Sequence, residues 1–427
     1  MGGPYAGPAR ALLAGTVLTM SGRLAAVDPF IRSLFEIHQD VQREGFAHEF
    51  SLGLFRSDYM LHQPAAGAAA ELRQVEFNTI AASFGGLASR VSELHRYLLR
   101  AGAYPAHRLL AAAAAVPPNP AANELAAGLS VAHHAYGAPA GGRTKAVLFV
   151  VQPGERNAFD QRWLEYALLE RAEPGGGIRT YRLALADVLA STALEAGSRR
   201  LLLTTPHGET AEISVVYFRA GYGPADYPTA AEWAARRQLE RSRAIKCPTI
   251  ATQLAGAKKV QQELAVPGTL ERFVPGAADA AALRATFAAL YPLDAGSAAG
   301  REARRLAFEA PERHVLKPQR EGGGNNVYGA QIPGFLRGLA DDGLWRGYIL
   351  MQLIEPPAAR AVVVRHGQAE RGPVIGELGV YGVALWRADG ELVVNRDAGW
   401  LLRTKAADSE EGGVAAGFGC IDGVCLV

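Results

Sequence analysis

A short segment that combines cations, a carboxylate and consecutive glycines carries the clearest chemistry in the sequence. Lys317 and Arg320 follow a predicted buried strand, Glu321 comes next, and residues 322–324 are all glycine. Backbone N–H groups of such a loop can surround a phosphate, and oxygens from Glu321 and Asn325 are ligands that Mg²⁺ prefers. The segment therefore predicts a site for a triphosphate. An ordinary surface turn is the alternative interpretation.

Two further oxygen-bearing residues stand in a predicted strand at residues 74–80. Glu76 and Asn78 would project from the same face, because alternate residues of a strand share a face. With Glu321 they could supply three oxygens to an octahedral Mg²⁺ shell. Taken alone, the pair favours a solvent-exposed strand face.

Three basic positions and one apolar strand have open interpretations. Lys258 lies in a predicted helix, where a solvent-exposed helix face is favoured. Arg403 could hold a carboxylate in a two-pronged contact and Lys405 could contact a phosphate, but an ordinary exposed basic pair is equally compatible. The apolar segment 348–356 could form the wall of a purine pocket, although most such strands belong only to a core.

The sequence offers no Ser-His-Asp or Cys-His arrangement that can be argued from spacing. Its candidate residues are cations and hard oxygen ligands without a nucleophile. That inventory fits phosphoryl transfer, in which catalysis depends mainly on positioning and charge neutralisation.

Length and composition limit the class of protein. The 427 residues predict two or three domains at about 150 residues each, and the net charge of +2 provides no general attraction to nucleic acid or membranes. Cys247, Cys420 and Cys425 argue against a disulfide scaffold, and their spacing does not suggest zinc. We expect neither a signal peptide nor a membrane span, and therefore a cytoplasmic protein.

Apolar periodicity predicts an α/β protein. Strands at 146–151, 178–183 and 213–218 with helical sequence between them indicate a parallel sheet. Residues 159–168 predict a helix with Phe159, Trp163 and Leu168 on one face. We also expect helices at 11–64, 87–102, 249–265 and 279–290, strands at 313–317, 347–354, 361–365, 374–385 and 391–395 with a hairpin between the last two, and a mobile lid at 407–419.

Five blocks of the sequence resemble the eukaryotic-type glutathione synthetase family, which has the ATP-grasp fold. They are residues 76–87, 246–264, 317–326, 401–405 and 412–417. The resemblance implies an ATP-grasp-type ATP-binding fold with an inserted parallel α/β substrate-binding domain and a glycine-rich lid. We accordingly expect a helical part and the start of the core at 1–143, the inserted domain at 144–247, and the core with its lid at 248–427.

The resemblance also implies a reaction and a set of ligands. The dipeptide γ-glutamylcysteine would attack ATP to give an acyl phosphate, and glycine would displace the phosphate to form glutathione. The family is typically homodimeric. Mg²⁺ would be held by Glu76, Asn78 and Glu321, and the catalytic residues would be Arg403, Lys317 and Arg56.

By the same resemblance, the remaining site residues fall into three groups. ATP would be bound by Lys258, Lys317, Gln319, Arg320, Glu321, Gly322, Gly323, Gly324, Asn325, Asn326, Tyr328, Met351, Gln352, Leu353, Ile354, Glu377, Lys405 and Glu411. The dipeptide would be bound by Arg56, Ser83, Glu155, Arg156, Asn157, Gln161, Arg219, Gly221 and Tyr222. Glycine would be bound by Arg403, Val414 and Ala415.

Some positions depart from the family pattern, and two other functions stay open. Ala81 and Ala220 replace a serine and an aspartate, and Gln352 with Leu353 replaces a Glu-Lys pair. Family members usually carry further residues before the matching part. If those residues normally cover apolar surface, we expect this chain to be marginally stable. The alternatives are a ligase that uses another amine such as β-alanine, and a nucleotide-binding relative without catalysis. Ala415 and Ala416 resemble the glycine-using form.

Overall fold

The computed structural model describes residues 8–65, 67–110, 115–171, 176–205, 207–357, 359–365, 367–409, 414, 417 and 419–426. The helices in this part are α1 Pro8–Ala25, α2 Pro29–Glu44, α3 Gly85–Arg100, α4 Ala121–Ala135, α5 Ala158–Leu169, α6 Leu185–Ser191, α7 Ala230–Arg241, α8 Ile250–Ala255, α9 Lys258–Ala265, α10 Ala277–Ala285, α11 Ala298–Glu309 and α12 Gln331–Gly338. The strands are β1 Phe50–His62, β2 Glu71–Asn78, β3 Thr144–Val151, β4 Arg179–Ala184, β5 Thr192–Leu194, β6 Leu201–Thr204, β7 Thr210–Phe218, β8 Ile245–Cys247, β9 Leu290–Pro292, β10 His314–Pro318, β11 Val327–Tyr328, β12 Tyr348–Gln352, β13 Ala359–Arg365, β14 Gln368–Arg387, β15 Leu392–Ala406 and β16 Gly419–Asp422.

The strands form three sheets. A large antiparallel sheet has the order β16-β15-β14-β1-β2, with β13 also paired to β14. A small antiparallel sheet has the order β11-β10-β12-β9. A central sheet has the order β4-β3-β7-β6-β5, with β8 also paired to β7. Strands β4, β3, β7 and β8 run parallel, which confirms the predicted parallel pairing.

The buried strands and amphipathic helices explain these layers. β3 is an unbroken apolar run, and Ala146 to Val150 are fully buried, as expected for a parallel strand covered on both faces. Helix α2 buries Leu34, Ile37 and Val41 along one face. Asp28 caps its N-terminus, because the Asp28 carboxylate accepts hydrogen bonds from the N–H groups of Phe30 and Ile31.

The predicted helical segment 11–64 is two helices as far as Glu44 and is wrong beyond it, because Phe50–His62 is a strand. Its alternate residues Leu52, Leu54, Arg56 and Asp58 are buried. Two charged residues therefore continue the inward face of β1, and the apolar alternation that marks a strand stops before the strand ends.

Other predicted boundaries also change. The predicted helix 249–265 is two helices, because the backbone of Ala257, with φ of −57° and ψ of 137°, leaves the helical conformation between α8 and α9. At the preceding Gly256, a Cβ would lie 2.4 Å from Oγ1 of Thr79. The predicted helix 279–290 ends at Ala285. Phe159 is 77% exposed and does not share the buried face of α5. The predicted hairpin is confirmed, with strands much longer than expected.

Two expectations concern larger units. The central sheet lies within residues 144–247, while the division into three domains stays a prediction. Among the residues that the structure describes, no helix has the length and apolar character needed to cross a membrane.

Candidate active site

Four adjacent strands of the large sheet bring predicted site residues into register. Arg56 on β1 lies opposite Asn78 on β2, and Glu377 on β14 lies opposite Arg403 on β15. Strand β14 lies between β1 and β15. Residues far apart in the sequence therefore meet on one part of the sheet.

Asp58 is the centre of this polar group, although the sequence did not single it out. Its carboxylate is fully buried and receives a two-pronged contact from Arg56, with Nε–Oδ1 at 2.6 Å and Nη2–Oδ2 at 2.8 Å. Arg403 Nη2 and Asn78 Nδ2 both donate to Oδ2 at 3.0 Å. One carboxylate thus holds three residues that the sequence predicted for dipeptide, glycine and metal binding.

A glycine on the neighbouring strand makes room for the Arg56–Asp58 pair. Gly379 lies opposite Asp58 in the register of β14 and β1. A Cβ at Gly379 would lie 2.6 Å from Cδ of Arg56 and 2.7 Å from Oδ1 of Asp58. Any side chain there would require the pair to move.

Arg403 also contacts Glu377, which is its cross-strand neighbour on β14. The sequence resemblance placed Glu377 near ATP, and in this structure its carboxylate pairs with the arginine predicted for glycine. Arg403 Nε is buried without a hydrogen-bond partner among the described residues. Arg403 therefore retains a donor that a substrate carboxylate could satisfy.

Lys258 joins the two acidic side chains that were predicted to bind Mg²⁺. Its ammonium lies 3.1 Å from Oε2 of Glu76 and 3.3 Å from Oε1 of Glu321. Lys258 is only 3% exposed, so the interpretation as a solvent-exposed helix face is wrong. It is the first residue of α9, which begins just after the close approach at Gly256.

The solvent-exposed interpretation of the β2 face is also wrong. Phe77 points outward and is partly exposed, whereas Asn78 is buried and the side chain of Glu76 is mostly covered. Burial alone would raise the pKa of Glu76, but Lys258, Lys317 and Arg403 outweigh it and hold this pKa well below its usual range. Glu76 therefore remains ionised among cations.

The pKa values of its neighbours move in the opposite direction. Burial, aided by the charge of Glu76, raises the pKa of Glu321 to about 7 against the opposing effect of Lys258. Burial would lower the pKa of Lys258, but Glu321 and Glu76 raise it. The site thus holds two close carboxylates, of which one is readily protonated.

Lys317 and Arg320, predicted as neighbouring phosphate ligands, have separate surroundings. Lys317 is buried beside β2 and donates to the Val75 carbonyl at 3.0 Å. Burial lowers its pKa. Arg320 pairs with Asp28 at 2.5 Å, at the start of α2. Gln319 is buried and its side-chain oxygen accepts the N–H of Lys259.

The glycine loop has the conformation that its composition predicts. Gly322 and Gly324 have φ of +82° and +86°, which side chains rarely adopt. The Asn325 amide donates to the Gly322 carbonyl at 2.9 Å, and the Asn326 amide donates to the Tyr328 hydroxyl at 3.2 Å. Residues 322–325, including Gly323, are exposed and accessible to a ligand.

The predicted purine-pocket strand borders a cavity. Gln352, Leu353 and Ile354 line a space of about 590 Å³ together with His62 and Arg73. Met351 is buried in a small apolar cluster. Lys405 lines a different cavity of about 530 Å³.

Three residues predicted for the dipeptide meet at Ser83. Its carbonyl accepts from Arg56 Nη1 at 3.1 Å, and its hydroxyl accepts from Arg219 Nη2 at 2.6 Å. Tyr381, which the sequence analysis missed, donates to the same carbonyl at 2.6 Å. Asp160, also missed, fixes the turn by accepting the N–H groups of Phe84 and Leu87.

A second group of predicted dipeptide residues surrounds Glu155. Its carboxylate accepts from the Asn157 N–H and from Gln161 Nε2, both at 2.7 Å. Arg156 is exposed.

The sequence gives only a weak indication of Asp58 and Asp160 as site residues, because a single acidic residue near an apolar segment does not reveal whether its side chain is buried.

The loop with Gly221 and Tyr222 is held from within. Both N–H groups donate to Asp226, and the Tyr222 hydroxyl accepts from Gln152. A Cβ added to Gly322 would lie 3.6 Å from Cε2 of Tyr222. The glycine loop therefore adjoins the predicted dipeptide loop. Val414 is half-buried, while Glu411 and Ala415 lie outside the described residues.

Comparisons with known proteins agree with this arrangement. Residues 17–426 match the family model described as eukaryotic glutathione synthase, ATP binding domain. The chain is 46% identical over 397 residues to glutathione synthetase of Homo sapiens, covering 92% of this chain and 79% of that one. It is 42% identical over 407 residues to chloroplastic glutathione synthetase of Solanum lycopersicum, covering 95% and 70%. A glutathione synthetase-like effector from Globodera pallida has the same fold, with a TM-score of 0.70 at 20% identity over 97% of this chain and 85% of that one.

Proposed function

The chain belongs to the eukaryotic glutathione synthase family and is an ATP-dependent ligase of glutathione synthesis, and we propose that the residues around Glu76 and Asp58 carry out its reaction. The substrates are γ-glutamylcysteine and glycine, joined at the expense of ATP. The proposed chemistry is transfer of the γ-phosphoryl group to the dipeptide carboxylate, followed by attack of the glycine amine on the acyl phosphate.

One electrostatic relationship supports the proposal most directly. Glu76 lies within the field of Lys258 and Lys317, the predicted phosphate cations, and also of Arg403 and Arg56, the predicted substrate cations. The cations predicted for phosphate and those predicted for substrate carboxylates therefore act on the same acid, which supports a single site for both. Phosphoryl transfer to a carboxylate needs both kinds of group within reach of the same atoms.

The residues present fit a divalent cation. Among the described residues no group of three or more His, Cys, Asp or Glu side chains could hold a metal. Glu76 and Glu321, however, already share the Lys258 ammonium, and Asn78 adds an amide oxygen from the same strand. We propose that these three hold Mg²⁺, which would offset charge on the β- and γ-phosphates.

The protein groups have distinct proposed roles. Lys258 and Lys317 would neutralise the transferred phosphoryl group, and the backbone of residues 322–324 would surround the phosphates. Arg56 and Arg219 would orient the dipeptide through the Ser83 turn. Arg403 would hold the glycine carboxylate with donors that its protein partners leave available.

Three further properties stay predictions. A homodimer and a cytoplasmic location are expected from the family resemblance and from the sequence. Selection of glycine over β-alanine is expected from Ala415 and Ala416, which lie outside the described residues.

The proposal is tested by measuring ADP release and product formation with each substrate omitted in turn. We expect ADP only when the dipeptide, an amine and Mg²⁺ are all present, with glycine preferred over β-alanine. ADP release that is the same without the dipeptide would indicate a simple ATPase. Preference for β-alanine would instead favour the related ligase.

A further inference from the structure

Asp58 connects three groups with different predicted tasks. It is fully buried, and its carboxylate is bound by Arg56, Arg403 and Asn78. Asp58 is not among the residues that the sequence predicted to contact a ligand. Burying an ionised carboxylate costs a large amount of free energy unless cations and hydrogen-bond donors surround it, as they surround Asp58.

The contact with Asn78 determines which end of its amide is available. Both neighbours of the amide nitrogen are acceptors: Oδ2 of Asp58 at 3.0 Å and the carbonyl of Arg56 at 3.2 Å. The nitrogen must therefore face these acceptors, which leaves the carbonyl oxygen for a cation. A metal ligand is commonly oriented by such an outer partner.

The contact with Arg403 restrains its guanidinium between two strands. Nη2 is shared by Asp58 on β1 and Glu377 on β14, while Nε is buried without a partner among the described residues. Asp58 is fixed in turn by the two-pronged contact with Arg56. The absent side chain at Gly379 allows this packing, since a Cβ would lie 2.7 Å from Oδ1 of Asp58.

We propose that Asp58 is a positioning residue that orients Arg403 toward the amine substrate and Asn78 toward the metal at the same time. The inference rests on the proposed function, because it uses the tasks assigned there to Arg403 and Asn78. It adds that the glycine and Mg²⁺ positions are coupled through one buried carboxylate.

The test compares Asp58→Asn with a matched buried acid. Glu212 on β7 is also fully buried, and its carboxylate accepts from Tyr136, Ala140 and Arg200, none of which is a predicted site residue. Both amide variants lose one buried charge. A purely structural effect would lower the thermal stability of both variants and leave the KM values of the folded enzyme for its substrates unchanged.

For Asp58→Asn we expect the KM for glycine to rise about tenfold or more, the effect of losing a charge-assisted hydrogen bond. Binding of Mn²⁺ in the presence of ATP, followed by electron paramagnetic resonance, should weaken by a similar factor. The new amide can place its nitrogen against Asn78, which would turn the Asn78 amide. Glu212→Gln should leave both constants unchanged.

The outcomes separate this inference from the proposed function. A wild-type enzyme without ligase activity would contradict the proposed function itself. The positioning role would be overturned if the wild type is active and the Asp58→Asn variant has an unchanged KM for glycine and an unchanged affinity for Mn²⁺. If that variant does not fold, a crystal structure of the wild type with glycine and an unreactive Mg²⁺–ATP analogue decides the matter, because loss of either the Asn78 or the Arg403 contact there would overturn it.

Discussion

Lys258 lies 3.3 Å from Glu321, although 63 residues separate them in the sequence. The pair connects the start of α9 to the glycine loop, and the same ammonium contacts Glu76 on β2. Three elements thus converge on one charge cluster. Removing the charge of Glu76 or of Glu321 therefore tests most directly whether this cluster binds a cation.

Glu321→Gln keeps the shape of the side chain and removes its charge. We expect turnover to fall by roughly two powers of ten, as for the loss of a key electrostatic group, and the Mg²⁺ requirement to shift to higher concentration. Steady-state rates over a Mg²⁺ series measure both effects. Glu312→Gln is the control, since Glu312 is exposed at the other end of β10. Normal turnover and Mg²⁺ dependence would return Glu321 to an ordinary turn residue.

Glu76→Gln should resemble Glu321→Gln if both residues serve one cation. The double variant should then lose far less activity than the product of the two single effects, because each single change already disrupts the shared site. A double-mutant cycle on kcat/KM measures this coupling. Fully independent effects would separate the two acids into different tasks.

Arg403→Lys retains the charge and loses the planar fork. A lysine cannot hold Asp58, Glu377 and a substrate carboxylate together, so we expect weaker glycine binding, by on the order of 2–5 kcal/mol for a buried pair. The measurement is the KM for glycine beside that for ATP. Arg396→Lys on the same strand is a matched control, since Arg396 pairs with Glu124 in a partly exposed position. If only the KM for ATP rises, Arg403 contacts the nucleotide instead of glycine.

Two glycines of β14 offer a test of packing without a change of charge. Gly379→Ala would place a Cβ 2.6 Å from Arg56, whereas Gly382→Ala meets nothing closer than a carbonyl at 3.8 Å. We expect Gly379→Ala to lower kcat/KM for the dipeptide and to reduce thermal stability, since the Arg56–Asp58 pair must shift. Gly382→Ala should affect both much less. Equal effects would mean that glycine is needed only for the strand itself.

The parts of the fold that the sequence predicted are those with local signals. The unbroken apolar run of β3 and the helical periodicity of α2 both depend on neighbouring residues. The glycine loop was recognisable because its glycines adopt backbone angles that other residues disfavour.

The parts that were missed depend on tertiary contacts. The sequence does not indicate a strand at β1, because the charged residues Arg56 and Asp58 occupy its buried face and interrupt the apolar alternation. The burial of Lys258 is not visible in its local sequence, because its acidic partners come from β2 and the glycine loop. The Glu377–Arg403 contact depends on the register of a long hairpin, which the turn sequence alone does not fix.

Lys246 provides a prediction outside the active site. It is fully buried on β8, donates to the Ser242 carbonyl at 2.7 Å and lies 3.0 Å from Nδ1 of His48. Burial lowers its pKa to about 7, with Arg236 and Arg199 acting in the same direction and Glu240 opposing them. The folded protein therefore holds this proton less tightly than the unfolded chain does.

The sign of the pH dependence follows from that difference. Between about pH 7 and the ordinary lysine pKa of 10.5, the unfolded chain binds more protons at this position, so the contribution of Lys246 to the free energy of unfolding rises with pH. Lys246→Met removes this dependence. We expect the variant to gain stability relative to wild type most strongly at pH 7 and progressively less toward pH 10, as measured by urea unfolding at each pH. A stability difference that stays constant over this window would show that Lys246 is uncharged, or equally charged, in both states.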